Sequence, residues 1–208
     1  MHMLIRHATM EDLDAIEAVG GCLLPACGGR NEREPDRTRR HISGTFLLLI
    51  NTDADDDACF PASVEDGTLV GFVNGMTTNE KDLADVMYED VSMHDEQGDW
   101  QMIFGVDVAP VYQHRGCASY LLRRVILDST IAGRKGIVLT CKERLVGFYS
   151  RLGFMDEGMS ASTHGNVAWH QMRLTLAHTT GESNDSNASG DTDPDAITME
   201  IPVVPLTD

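Results

Sequence analysis

The stretch VDVAPVYQHRGCASYLLRRVI, residues 106–126, decides the reading of this chain. It begins as an extended run, breaks at Pro110 and passes through Gln113, His114, Arg115, Gly116, Cys117 and Ala118. It then continues with Leu121, Leu122, Val125 and Ile126 at helical spacing. A strand that turns into a helix in this way leaves several backbone N–H groups unpaired at the helix N-terminus, where the helix dipole adds partial positive charge. A pyrophosphate can be held there without a lysine. Gly116 and the small Ala118 let phosphate oxygens approach the main chain. No Gly-x-x-x-x-Gly-Lys-[Ser/Thr] run is present, and no Gly-x-Gly-x-x-Gly follows a strand, so nucleoside-triphosphate and dinucleotide readings lose their support.

Strand and helix signals alternate on either side of this turn. His2 to His7 reads as a first strand, and Thr9 with Asp12 starts a helix that Gly20-Gly21 is expected to end. A loop rich in Pro and Gly leads to a short helix expected from Pro35 to Ser43, then to TFLLLIN, residues 45–51, a buried strand. TLVGFVNGMT, residues 68–77, is a second central strand whose Gly71 and Gly75 suggest a bulge or a close backbone approach. Lys81 to Val91 is expected to be a short helix, and QMIFGVDV, residues 101–108, a strand. Downstream, Gly133 closes the helix that begins near Ala118. IVLTC, residues 137–141, is a buried strand, and Glu143 to Leu152 is a helix closed by Gly153, with Phe154 packing back. Two further strands, 154–158 and 167–176, complete an α/β (α+β) mixed sheet with helices on both faces.

The 208 residues suffice for one hydrophobic core, expected within 1–176, whereas 177–208 (TTGESNDSNASGDTDPD and beyond) is too polar to order itself and is expected to be a flexible acidic tail. No run approaches the roughly 18 consecutive apolar residues of a membrane span, and the N-terminal segment turns acidic before a signal-peptide core develops, so a cytoplasmic protein with no membrane partner is expected. The five cysteines show neither zinc spacing nor paired spacing and read as reduced thiols, with no metal. A net charge of -17 argues against nucleic acid. The charge is uneven: residues 79–99 carry eight acids against one Lys, while residues 101–176 carry nine Lys and Arg against five acids. An anionic cofactor and a cationic substrate would together ask for that pairing; a solvated acidic surface explains the same acids.

The pattern [Gln/Arg]-x-x-Gly-x-[Gly/Ala] after a strand ending Val-x-Pro resembles the signature of the GNAT superfamily of acetyl-CoA-dependent N-acetyltransferases. TCKERLVGFYSRLGF, residues 140–154, is similar to its second motif, in which a helix carries Tyr and ends in a Gly-Phe pair. The resemblance implies a mostly antiparallel seven-stranded sheet splayed between its fourth and fifth strands, and acetyl-CoA as cosubstrate. It places the cofactor on Val106, Asp107, Val108, Gln113, His114, Arg115, Gly116, Cys117, Ala118 and Tyr149. The Val106 N–H would polarise the thioester carbonyl, and the Tyr149 phenol would protonate the departing thiolate.

The resemblance puts Met102 where many members carry a basic Glu or His, and Met accepts no proton. The base is therefore sought in the preceding segment, at His94 first, with Glu89, Asp90 and Asp99 as further candidates. Alternation along the strand turns Asp107 away from the thioester. Within the superfamily the sequence looks most like the arylalkylamine (serotonin-type) branch, which carries two histidines where Met102 and Phe104 stand here. The acceptor that follows is a small primary amine, arylalkylamine or polyamine. A protein or peptide amine and a non-catalytic acyl-CoA sensor remain as alternatives, and analogy with the fold suggests a homodimer.

Overall fold

A computed structural model describes residues 2–23, 45–53, 63–162 and 168–176. The expected helix at 35–43 and the tail at 177–208 lie outside them. Among the described residues the strands are β1 (Met3–His7), β2 (Thr45–Asn51), β3 (Ser63–Val64), β4 (Gly67–Thr78), β5 (Trp100–Val108), β6 (Gly136–Cys141), β7 (Met155–Met159) and β8 (His170–Thr175). The helices are α1 (Leu13–Leu23), α2 (Cys117–Ile131) and α3 (Glu143–Ser150). The sheet runs β1-β2-β4-β5-β6-β8-β7, with β3 beside β4. Among the described strands only β5 and β6 pair in parallel. The sheet thus has eight strands where seven were expected; the extra one is β3, two residues that close a turn onto β4. The fourth and fifth strands implied by the resemblance are β5 and β6.

Two expectations are corrected. Gly20 and Gly21 do not end the first helix, which runs on to Leu23. Gly20 lies in α1 facing the Phe72 ring of β4, where a Cβ would make an ordinary contact at 3.6 Å, so the helix passes through it without strain. Residues 81–91 form no α-helix but two 3-10 turns, Asp85–Tyr88 and Val91–Met93. Asp82, Asp85 and Glu89 would stack like charges at helical spacing, and the Asp90 carboxylate instead accepts from the Ser92 N–H at 2.9 Å, which breaks the helix. The segment is held down by Leu83 and Met87, which pack with Met76, Trp100, Met102 and Val138. It is also clamped by Arg173, which bonds Asp82, the Lys81 carbonyl and Glu157 and lies over the Trp100 ring.

The feature that positions the site is a bulge in β5. Asn74 opposes Gly105 and Gly75 opposes Ile103, so Phe104 is an extra residue that the register with β4 skips. The distortion needs glycine at 75, because a Cβ there would collide with the Met102 carbonyl. It also needs Gln101, a buried side chain whose amide donates to the Met76 and Met102 carbonyls at 3.0 and 2.9 Å. Because opposed residues share a face, Asp107, Gly105 and Met102 follow Phe72, Asn74 and Met76 onto one side of the sheet. Without the bulge Met102 and Asp107, five residues apart, would face opposite ways. Gly75→Ala is expected to cost about 3 kcal/mol in urea denaturation. Gly147→Ala, in α3 with open space around it, should be neutral or stabilising by up to about 1 kcal/mol.

Candidate active site

β5 and β6 are paired only from Trp100↔Gly136 to Ile103↔Leu139. Beyond Ile103 the strands diverge, so alternate main-chain groups of Phe104 to Val108, Val106 among them, face an open gap instead of a ladder partner. The turn to α2 lies just past the end of this gap. Pro110–Tyr112 form a 3-10 turn, His114 adopts φ +59° and Gly116 φ +82°, and α2 starts at Cys117 with no side-chain cap. Two successive left-handed excursions, one of them at a non-glycine residue, turn consecutive amides in a common direction.

Among the described residues no protein acceptor meets the N–H groups of His114, Arg115, Gly116, Cys117 or Ala118; the first α2 bond runs from the Tyr120 N–H to the Gly116 carbonyl. A Cβ on Gly116 would meet nothing within 4 Å, so the main chain there is open to an approaching group. Gln113 differs from expectation. Its N–H donates to the Pro110 carbonyl at 3.3 Å, and its side-chain amide donates to the Val108 carbonyl at 3.0 Å. Gln113 therefore braces the turn, the free amides begin one residue later at His114, and the Val108 carbonyl already has one partner. His114 and Arg115 are exposed, and Arg115 sits 6.0 Å over the Tyr112 ring. Cys117 is a buried thiol packed into the core, its ionisation pushed up by burial; Ala118 is half-buried.

Tyr149, on α3, is 8% exposed and makes edge contacts with Phe148 and Phe154, ring centres 5.0 and 5.9 Å away. Phe154 packs back beyond Gly153 (φ +93°), as the Gly-Phe pair suggested. Burial first, then the nearby Cys141 and Asp107, raise the phenol well above its ordinary pKa, so it stays protonated and able to donate. No described group hydrogen-bonds it. Burial also pushes the Cys141 thiol up to about 11, with the Asp156 charge adding to the effect.

Asp107 lies close enough to Tyr149 for its charge to act on the phenol, so the expectation that alternation turns it away does not hold. The bulge at Phe104 is the reason. Burial pushes its carboxyl up to about 6, and among the described residues no cation pairs with it.

The acids and His94 of the preceding segment are elsewhere engaged. His94 Nδ1 accepts the Thr77 N–H at 3.3 Å, and its Nε2 is buried with no partner among the described residues. Thr77 opposes Gln101 while Phe72 opposes Asp107, five residues along β4, or about 16 Å at a strand's rise. The structure thus brings His94 to the far end of β5 from the Asp107 and Tyr149 pair. Asp99 bonds Lys135 at 2.6 Å, Asp90 caps its own turn, and Glu89 is exposed. Trp100 packs under Arg173, and Lys142 lies 5.9 Å from the Trp169 ring. No metal-holding cluster of His, Cys, Asp or Glu occurs among the described residues, and none of their helices is long and apolar enough to cross a membrane.

A strand that opens away from its parallel neighbour onto an uncapped helix N-terminus defines an acyltransferase-type fold. The Acetyltransferase (GNAT) family matches residues 28–154, and the chain belongs to that family. It is 30% identical over 114 residues to the serotonin N-acetyltransferase of Mesocricetus auratus, a match covering 54% of this chain and 53% of that protein. The chain therefore spans about half the length of that relative. Its fold is similar to Arabidopsis thaliana NAA60 in complex with a bisubstrate analogue (TM-score 0.60, 17% identity, 84% of this chain and 98% of that one). It is likewise similar to the loading GNATL domain of CurA from Lyngbya majuscula (TM-score 0.61, 16% identity, 84% and 98%).

The raised carboxyl of Asp107 has a consequence for stability. A group whose folded pKa lies above its unfolded value stabilises the fold when protonated, and that contribution is lost as pH rises through the folded value. Asp107→Asn is therefore expected to be more stable than wild type at pH 7.5, by up to about 2–3 kcal/mol. The difference should shrink as pH falls from about 6 toward 4. Thermal melts of both proteins across pH 4–8 measure it.

Proposed function

We propose that this chain is an acetyl-CoA-dependent N-acetyltransferase that moves the acetyl group to a primary amine of arylalkylamine or polyamine type by direct attack in a ternary complex. The observation that carries the reading is the run of unpaired amides from His114 to Ala118 at the open end of the β5–β6 gap. Those amides and the α2 dipole suit a diphosphate, and the unladdered main chain beyond Ile103 suits an amide-bearing arm such as pantetheine. The Val106 N–H would polarise the carbonyl oxygen, stabilising the charge that develops there. Tyr149, protonated and with no hydrogen-bond partner among the described residues, would give its proton to the sulfur as the C–S bond breaks.

The similarity to a serotonin N-acetyltransferase supports a small amine acceptor. The likeness to the NatC complex bound to Gag peptide and CoA is what favours a peptide amine as the second reading. Titration calorimetry with acetyl-CoA and a thiol-release screen over arylalkylamines, diamines, polyamines and short peptides separate the two. Binding and turnover with the small amines are expected. No heat with acetyl-CoA would sink the assignment, and binding without turnover on any amine would mark an acyl-CoA sensor. Tyr149→Phe should lower turnover at least about tenfold with unchanged acetyl-CoA affinity. Gly116→Val, which forces a β-branched side chain into the left-handed region and into the space before the amides, should weaken acetyl-CoA binding at least about tenfold.

A further inference from the structure

The family's usual base position is filled by Met102, fully buried among Met76, Met87, Trp100 and Val138. No proton can be accepted there. On the same face of the sheet, however, the bulge sets two polar side chains side by side at the mouth of the gap. A Cβ placed on Gly105 would be 2.9 Å from Asn74 Oδ1 and 3.5 Å from Asp107 Oδ2, so both groups converge over the one residue between them that has no side chain. Among the described residues neither Asn74 nor Asp107 has a hydrogen bond or ion pair. Polar groups at half-buried mid-sheet positions are costly unless something satisfies them, and no described residue does so here, which leaves both open to a ligand.

We propose that Asp107 is the proton acceptor for the incoming ammonium, and that the Asn74 carbonyl oxygen holds the same nitrogen. This rests on the acetyltransferase reading above and adds to it the group that makes the amine nucleophilic. Asp107 takes one proton from R–NH3+, giving R–NH2 and a neutral carboxyl. The nitrogen lone pair forms the N–C bond to the thioester carbon, the C–S bond breaks, and its electron pair stays on sulfur. The second nitrogen proton reaches sulfur through the Tyr149 hydroxyl, and Asp107 returns its proton to solvent. The products are an amide, a thiol and one proton, so the step balances.

The groups that face Asp107 and Tyr149 support this traffic. Phe72 and Asn74 come from β4 and carry no charge; Cys141 comes from β6 and Tyr149 from α3, both held protonated. Among the described residues no Lys, Arg or His pairs with the carboxylate, so nothing competes with an arriving cation. Burial holds Asp107 at a proton affinity from which it can both accept and release near neutral pH.

The test compares wild type, Asp107→Asn, Asp107→Glu and Asn74→Ala, using whichever of tryptamine, spermidine and a tetrapeptide with a free N-terminus turns over fastest. If none turns over, the slow hydrolysis of acetyl-CoA, in which water must lose a proton to the same base, is used. In wild type, kcat/KM should rise with pH through about 6. Asp107→Asn should lose at least about a hundredfold and should lack that rise. Its acetyl-CoA affinity by calorimetry should stay within threefold, while Asp107→Glu keeps more activity than the amide. Asn74→Ala should raise KM for the amine more than it lowers kcat. Asp107→Asn activity within threefold of wild type, an unchanged acid limb, or loss of acetyl-CoA binding together with activity would each overturn the assignment. Absence of acetyl-CoA binding by wild type is a different result: it removes the acetyltransferase reading itself.

Discussion

The extra residue at Phe104 is the constraint on which the rest of the structure depends. A parallel strand pair holds together only while its evenly spaced, slanted bonds stay in step, and β5 and β6 are in step for four residues, Trp100 to Ile103 against Gly136 to Leu139. The bulge follows immediately. It bends β5, breaks the match with β6 and opens the gap in which main-chain groups are left for a ligand. Two neighbours make the distortion tolerable: Gly75, where a Cβ would occupy the Met102 carbonyl's place, and Gln101, whose amide satisfies the carbonyls that the altered ladder disturbs. The sheet core on either side of this point is densely apolar, with Phe46 to Ile50 on β2 and Leu121, Leu122 and Val125 on α2. The bend is therefore held by packing and does not relax.

Charge follows the same geometry. Eight acids in 79–99 suggested a cation-attracting surface, yet several are committed to partners within the protein. Asp82 with Glu157 neutralises the buried Arg173, Asp99 pairs with Lys135, and Asp90 and Asp95 close local turns. These pairs pin the segment against β8 and over Met76 and Met102. Their attraction for a distant cation is correspondingly reduced, since each is already close to a positive charge or backbone donor. The unpaired carboxylate Asp107, desolvated and with no cation beside it among the described residues, acts on an approaching charge without that competition.

How much of this was legible in the sequence depends on whether local chemistry decided it. The turn into α2, the left-handed Gly133 and Gly153 stops, and the return of Phe154 onto Tyr149 are all set by residues within a few positions, and the sequence pattern located them. The glycines of β4 marked a close approach, which Gly75 makes. Which strand carried the surplus residue was not readable, because the register of β4 against β5 is fixed by contacts more than twenty residues apart. Gln113 was read through its place in a motif, but its side chain is spent on the Val108 carbonyl, an interaction with no periodic signal. His94 looked suited to proton transfer by residue type alone; its ring nitrogen meets the Thr77 amide instead.

The exchange of roles between Met102 and Asp107 follows from that single slip in register. A base at 102 would lie where β5 and β6 are still fully paired and where Leu83, Met87 and Trp100 seal the surface. In this chain that seal is needed, because it anchors a segment that forms two short 3-10 turns and no long helix. A carboxylate at 102 would be desolvated there without a partner, which is costly in such surroundings. Five residues further on the strands have parted, Gly105 leaves room for Asn74, and a carboxylate is buried enough to bind a proton near neutrality while remaining beside the gap. The bulge supplies the odd residue that returns position 107 to the face of 102. An apolar residue at the earlier position and an acidic one at the later are thus two consequences of the same distortion.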